Sequence, residues 1–135
     1  MAAGSVVVIP DIIVMYVAGD PARPIFEQAP IAFDRLEAKL ATLKGRRFYG
    51  VVVDGAYRAC VAIKPDDDPD DLPHPTWTIP GGRYVRQKLP NWEQRRHLIG
   101  PSMMRLRERT DYDASRACIE YYRSQRELLL MVPIA

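Results

Sequence analysis

Apolar positions along the chain follow two spacings, every second residue in some stretches and every third or fourth in others. Ser5 to Ile9 and Ile12 to Ala18 are apolar and rich in β-branched residues, with Pro10 and Asp11 between them. That pattern predicts a strand with a break or bulge. Gly19-Asp20-Pro21 and Pro24 punctuate a loop. Phe33, Leu36, Leu40 and Leu43 then recur at helical spacing, with Asp34, Arg35, Glu37 and Lys39 on the other side. The spacing predicts an amphipathic helix opened by Pro30 and stopped by Gly45. Phe48 to Val53 reads as a strand, Asp54-Gly55 as a tight hairpin turn, and Tyr57 to Ile63 as the returning strand.

An acidic segment, residues 66–73, reads as a solvated linker, after which the order repeats. Trp77 to Leu89 predicts one long strand with Pro80-Gly81-Gly82 near its start. Trp92 to Arg109 predicts a helix interrupted at Gly100-Pro101, with Ile99, Met103 and Leu106 as its apolar stripe. Ala117 to Tyr122 and Glu127 to Ile134 predict two more strands around a turn at Arg123 to Arg126. Ile9-Pro10 recurs as Ile79-Pro80, seventy positions on, and the same shift carries Phe33 onto Met103 and Leu36 onto Leu106. It also carries Asp54-Gly55 onto Ser124-Gln125, in the second turn. The expectation is an α+β fold of one domain built from two strand–helix–strand–strand modules, about residues 5–65 and 74–135.

Composition fits that size. The chain has 135 residues, a formal net charge of +2 and 47% hydrophobic residues, ordinary for a globular domain and far from a disordered one. A near balance of 19 basic and 17 acidic residues argues against a dedicated nucleic-acid binder. Setting aside the five Asp of the acidic segment leaves 12 acidic residues against the 19 basic ones, so the rest of the body is mildly basic. Cys60 and Cys118 are too few for a disulfide scaffold and suggest a reducing compartment. Apolar runs such as Ile12 to Ala18 are far shorter than the ~20 residues of a spanning helix. Met1-Ala2-Ala3-Gly4 lacks the charge that opens a secretory signal. A cytoplasmic location is expected.

Glu120 is the first candidate for chemistry. It sits mid-strand in Ala117-Cys118-Ile119-Glu120-Tyr121-Tyr122, where alternation places Cys118, Glu120 and Tyr122 on one largely apolar face. A carboxylate there needs a partner or a cationic ligand, unless that face is simply wet. Tyr16, Phe48, Tyr49, Trp77, Tyr84, Trp92, Tyr121 and Tyr122 lie on or beside strands, as core or as walls for a flat or cationic molecule. Under the seventy-residue shift Gly50 matches Glu120, which makes one module a flat floor and the other the carrier of a carboxylate. The Asp spacing does not fit a calcium loop, and two histidines with two distant cysteines do not make a metal site. No nucleophile elbow, glycine-rich phosphate loop or helix-turn-helix is present. Neither metal nor cofactor is expected. Arg95, Arg96, Arg105, Arg107 and Arg109 read as an exposed basic helix face.

Several segments in series resemble the GyrI-like small-molecule-binding family, the effector-binding domains of MerR- and AraC-type multidrug-sensing regulators and their stand-alone relatives. They are Ala32-Phe33-Asp34-Arg35-Leu36, Arg46-Arg47-Phe48-Tyr49-Gly50-Val51, Tyr57-Arg58-Ala59-Cys60-Val61-Ala62, Thr78-Ile79-Pro80-Gly81-Gly82-Arg83-Tyr84, Ile119-Glu120-Tyr121-Tyr122 and Leu130-Met131-Val132-Pro133-Ile134. The resemblance implies two βαββ modules related by a pseudo-twofold axis, with antiparallel sheet and a ligand cleft between them. It implies capture of lipophilic, cationic aromatic compounds, with Glu120 meeting the charge and Tyr16, Phe48, Trp77, Tyr84, Trp92 and Tyr122 lining the cleft. The short segment Arg123 to Glu127 departs from members with a covering loop there, and neither an attached DNA-binding domain nor direct control of transcription is expected. Binding rather than catalysis is the expected activity. Some relatives are hydrolases of strained, cyclopropane-bearing electrophiles, which would make Glu120 a general base and Tyr122 or Tyr84 a proton donor. A third alternative is a protein-binding module like the gyrase-inhibiting members.

Overall fold

The computed structural model describes residues 4–135 and has an α+β architecture. Its elements run β1 (Ser5–Ile9), β2 (Ile12–Ala18), α1 (Ile25–Ala38), β3 (Phe48–Val53), β4 (Ala56–Ala62), β5 (Thr76–Ile79), β6 (Gly82–Pro90), α2 (Ile99–Arg107), β7 (Ile119–Tyr122) and β8 (Glu127–Pro133). Two 3-10 turns, Trp92–Gln94 and Arg96–Leu98, precede α2. The chain forms two compact units, one continuous from Ile12 to Ile79, the other joining the segment before Ile12 to Pro80–Ala135. Among the described residues no helix is long and apolar enough to cross a membrane.

In the continuous unit, β4 pairs antiparallel with β3 and β2, and β2 pairs with β5. The helix α1 packs Ala32 and Leu36 onto Met15, Tyr57, Ala59 and Val61. The buried Gln28 ties α1 to β4: Tyr57 N–H donates to its Oε1 at 2.8 Å, and its Nε2 donates to the Arg23 carbonyl at 2.7 Å. A Cβ at Gly19 would meet that same Oε1 at 2.6 Å, so only glycine fits beside it. In the other unit, β6 pairs with β1 and β8, and β8 pairs with β7, all antiparallel. Here α2 sets Leu106 over Val85, Leu89, Leu128, Leu130 and Val132.

Several element boundaries differ from the sequence expectation. The helix α1 starts after Pro24 rather than at Pro30 and stops at Ala38, so Pro30 lies inside it. Glu27 and Gln28 N–H both donate to the Pro24 carbonyl, and the ring of Pro24 fixes the dihedral that starts the helix. Leu43 falls outside α1 and is exposed. The long strand from Trp77 splits at Pro80-Gly81 into β5 and β6. A Cβ on Gly81 would meet the Pro10 carbonyl carbon at 2.5 Å, so the backbones touch where both apolar stretches break. Gly100-Pro101 does not interrupt α2 but lies in its first turn, where the missing proline donor would be unpaired anyway. The strand expected from Ala117 begins at Ile119. The Asp54-Gly55 turn is as expected, with φ of 52° and 80°, the left-handed pair of a tight hairpin.

The acidic segment is not only a solvated linker. Asp67 accepts a two-pronged bond from Arg46, at 2.6 and 2.7 Å, and a third from Lys64 N–H at 2.8 Å. The Arg46 hydrogen bond, above all, holds the Asp67 carboxyl below its ordinary range. A carboxyl depressed in the folded state binds fewer protons than in the unfolded one, so its contribution is present above the unfolded value near 4 and lost as pH falls through the folded value. Arg46→Ala is expected to cost about 1–3 kcal/mol at neutral pH. It should also flatten the acid limb of stability against pH, read from urea melts between about pH 3 and 7. An unchanged acid limb would show that Asp67 does not contribute.

Candidate functional site

The structure places Glu120 where alternation put it, and the register of β7 gives the face a partner. Glu120 lies opposite Leu130 and Tyr122 opposite Leu128. Across β8, Leu130 lies opposite Gln87 and Leu128 opposite Leu89 on β6. Leu89, Leu128 and Leu130 belong to the core under α2, and Cys118, Tyr122, Trp92 and Tyr112 pack against it. The face carrying Glu120 is therefore the one that faces the helix. Glu120 is half-buried, and Tyr122 O–H donates to its Oε1 at 2.6 Å.

Tyr122 is positioned in turn. Its ring meets Trp92 edge to face, centroids 5.0 Å apart at 69°. Trp92 sits on the first 3-10 turn, entered through Asn91, whose φ of 53° swings the chain out of β6. The indole Nε1 donates to the Ser124 carbonyl at 2.9 Å in the turn between β7 and β8, and the Arg96 guanidinium lies 5.4 Å from the ring centroid. On the other side of Glu120, burial raises the Cys118 thiol, opposed by Arg107 and a hydrogen bond with Tyr112, with Glu120 raising it further. Arg107 also lies over the Tyr112 ring at 5.2 Å.

The site includes a residue that sequence reasoning passed over. Gln87 Oε1 is buried with no hydrogen-bond partner, on the same face as Glu120 and one strand removed. Two strand spacings, ~10 Å, separate the backbones of the two acceptors. The signal was present: Val85, Gln87 and Leu89 alternate on one face of β6, and Gln87 is the polar exception, as Glu120 is in β7. A face with two acceptors and aromatic walls favours a molecule that carries positive charge or hydrogen-bond donors.

The remaining candidates lie elsewhere. Tyr84 is fully buried, and its O–H donates to the Pro80 carbonyl at 2.5 Å with Arg116 against the ring at 4.9 Å. Being next to Val85 in the strand, it points away from the Glu120 face. Phe48 belongs to the continuous unit, packed edge to face on Phe33 at 6.4 Å under α1. Tyr16 and Trp77 form an edge-to-face pair in that same unit, 6.5 Å apart, on the opposite sheet face from Phe48. Within one unit the structure thus brings together Glu120, Tyr122 and Trp92, and within the other Tyr16 and Trp77. A cavity of about 200 Å³ opens beside α1, lined by residues that include Gly19, Arg23, Gln28 and Arg35. Among the described residues no cluster of His, Cys, Asp and Glu could hold a metal.

No protein-family model matches the chain, and no curated protein matches it in sequence. Solved structures do match in fold. An integron cassette protein from the mobile metagenome of Vibrio cholerae superposes with a TM-score of 0.70 at 14% identity, over 98% of this chain and 96% of that one. SAV2435 bound to tetraphenylphosphonium superposes with a TM-score of 0.61 at 10% identity, over 99% and 94%. A hydrolase from Listeria innocua gives 0.52 at 15% identity, over 98% and 92%. The chain shares the fold of these proteins across nearly its whole length.

The two thiols give a direct check on the site. Cys60 is fully buried and burial pushes its thiol up to about 12, whereas Cys118 is half-buried at the rim of the Glu120 face. A maleimide at about pH 8 is expected to label Cys118 slowly and Cys60 not at all, and both at once in urea. Mass spectrometry of the labelled peptides reads the result. Equal native labelling would mean that the face is not packed as described.

Proposed function

We propose that this chain is a small-molecule-binding protein that captures lipophilic, cationic aromatic compounds on the Glu120 face, in the manner of the GyrI-like family. The observation that carries the reading is a half-buried carboxylate held by Tyr122 beside Trp92, with a second, unpaired acceptor at Gln87 on the same face. A cation in such surroundings gains more from a carboxylate than it would in water, because the dielectric is lower. The fold supports it too, since one protein of this fold was solved with tetraphenylphosphonium, a lipophilic aromatic cation. We assign the aromatic contacts to Trp92 and Tyr122.

The reading includes two βαββ modules, and the seventy-residue shift supports it element by element. It moves β2, β3 and β4 onto β6, β7 and β8 to within two residues at each end, and α1 onto a span containing α2. It also moves β1 onto β5. The pairings follow: Val6 faces Val85 in one unit, and Met15 faces Thr76 in the other, which is the same pair with the roles of the halves exchanged. On this reading Gly50 and Glu120 are equivalent positions.

The test compares tetraphenylphosphonium with triphenylphosphine oxide, a neutral molecule of related shape, by tryptophan fluorescence titration. Glu120→Gln is expected to weaken the cation about tenfold or more, ~1.4 kcal/mol, and to change the neutral compound less than about twofold. Equal losses would remove the electrostatic part of the reading.

A hydrolase reading rests on the Tyr122–Glu120 hydrogen bond and on the Listeria innocua hydrolase that shares the fold. Glu120 would take a proton from a water molecule whose oxygen bonds to the electrophilic carbon. The strained carbon–carbon bond would break and its electron pair would be protonated by Tyr122, which would regain a proton from Glu120 through the hydrogen bond between them. Tyr84 is buried on the sheet face away from Glu120, which leaves Tyr122 as the donor. Incubation with a cyclopropane-bearing alkylating compound, read by mass spectrometry, decides: a product heavier by one water that Glu120→Gln does not form supports hydrolysis, and an unchanged compound rejects it.

A further inference from the structure

We propose that the continuous unit carries a second ligand site, independent of Glu120 and of opposite preference, in which Arg58 between Tyr16 and Trp77 takes an aromatic carboxylate. The Arg58 guanidinium carbon lies 4.5 Å from the Tyr16 ring centroid and 4.7 Å from that of Trp77. The two rings meet at 72°, so they form a corner with the cation set into it. Arg58 lies on β4 opposite Ala18 and Val51, while Tyr16 lies opposite Cys60 and Trp77 opposite Val14. All of these share the sheet face away from α1. Val14, Val51 and Cys60 are buried, which gives the corner an apolar floor.

The charge on this residue is not answered by a charge. Among the described residues no carboxylate forms an ion pair with Arg58 and no acceptor takes a hydrogen bond from its side chain. Other arginines of the chain have such partners: Arg46 has Asp67, Arg109 has Asp111, and Arg116 has Asp113. None of the Arg58 nitrogens is among the buried, unpaired polar atoms, so its N–H groups are open to water. Ring faces attract the cation but do not satisfy those donors. An arginine fixed in place by aromatic contacts, with its fork of donors unused and within reach of solvent, is set to receive a planar oxyanion through two parallel hydrogen bonds. The half-buried flanks of Tyr16 and Trp77 supply apolar contact for a flat body attached to that anion. A carboxylate on an aromatic ring combines the two.

Isothermal titration calorimetry on the intact chain tests this with sodium benzoate, sodium acetate and benzyl alcohol. Benzoate is expected to bind one to one, with acetate and benzyl alcohol each at least about tenfold weaker, since each lacks one of the two contacts. Arg58→Met keeps the aliphatic stem and removes the charge, and should weaken benzoate about tenfold or more. Arg58→Lys keeps the charge but not the fork, and should weaken it about threefold or more. Circular dichroism melts confirm that each variant is folded. If Arg58→Met does not fold, Arg58→Lys alone decides. No saturable benzoate binding below about 10 mM, or a folded variant that binds benzoate as the parent does, overturns the proposal. Acetate binding as tightly as benzoate overturns the aromatic part. Since Glu120 lies in the other unit, Glu120→Gln should leave benzoate binding unchanged, which separates a failure here from a failure of the cation site.

Discussion

A carboxylate on an apolar strand face has to be given hydrogen-bond donors, and the surroundings of Glu120 are organised by that requirement. Tyr122 supplies one donor from two residues further along the strand, a distance fixed by the pleat itself. Trp92 holds the Tyr122 ring from the side, and the indole is anchored to the Ser124 carbonyl. The turn after β7, the 3-10 turn before α2 and the strand that bears the carboxylate are thereby one connected arrangement. Partial removal from water makes each interaction in it stronger than it would be on an open surface, and makes an unmatched acceptor such as Gln87 Oε1 correspondingly costly. Whatever molecule answers that acceptor gains from a surface already arranged for it.

The two sheet faces that carry candidate chemistry are opposites in charge. One presents acceptors, Glu120 and Gln87, with aromatic rings beside them. The other presents donors, those of Arg58, also with aromatic rings beside them. Both use the same device, which is to set a charged or polar group in a strand row whose neighbours are apolar. The mild basic excess outside the acidic segment says nothing about either face, because each depends on a single side chain and its immediate partners.

Much of this was legible in the chain. Period-two alternation is a local property, and it correctly placed Glu120 with Tyr122 and Cys118. The Asp54-Gly55 turn was legible because few residue pairs adopt two left-handed conformations in succession. Helix limits were less so. Pro30 signals a start, but a proline can be carried inside a helix whose opposite face is well buried, as Ala32 and Leu36 are here. Residues paired across strands were not legible, because the register of β6 on β8 and of β8 on β7 depends on contacts between segments far apart in sequence. That is why Gln87 escaped notice while Glu120 did not, although each is a polar residue in an apolar row. Arg58 escaped for the same reason: its two aromatic partners come from β2 and β5, and neither is its neighbour in the chain.

The pairing of β1 with β6 also bears on how the protein comes into being. Ser5 lies opposite Arg86, and Ile9 opposite Gly82, so β1 has no partner until the whole of the Ile12 to Ile79 unit and then β6 have been synthesised. The unit from Ile12 to Ile79 is continuous and can close on itself as it leaves the ribosome, while β1 remains an unpaired apolar strand with Val6 and Val8 exposed even in the finished fold. Closing so long a loop is slow compared with forming local hairpins. During that interval the strand is a template for pairing with other chains. Translation order thus sets a window of aggregation risk for β1, one that ends when β6 is released to pair with it.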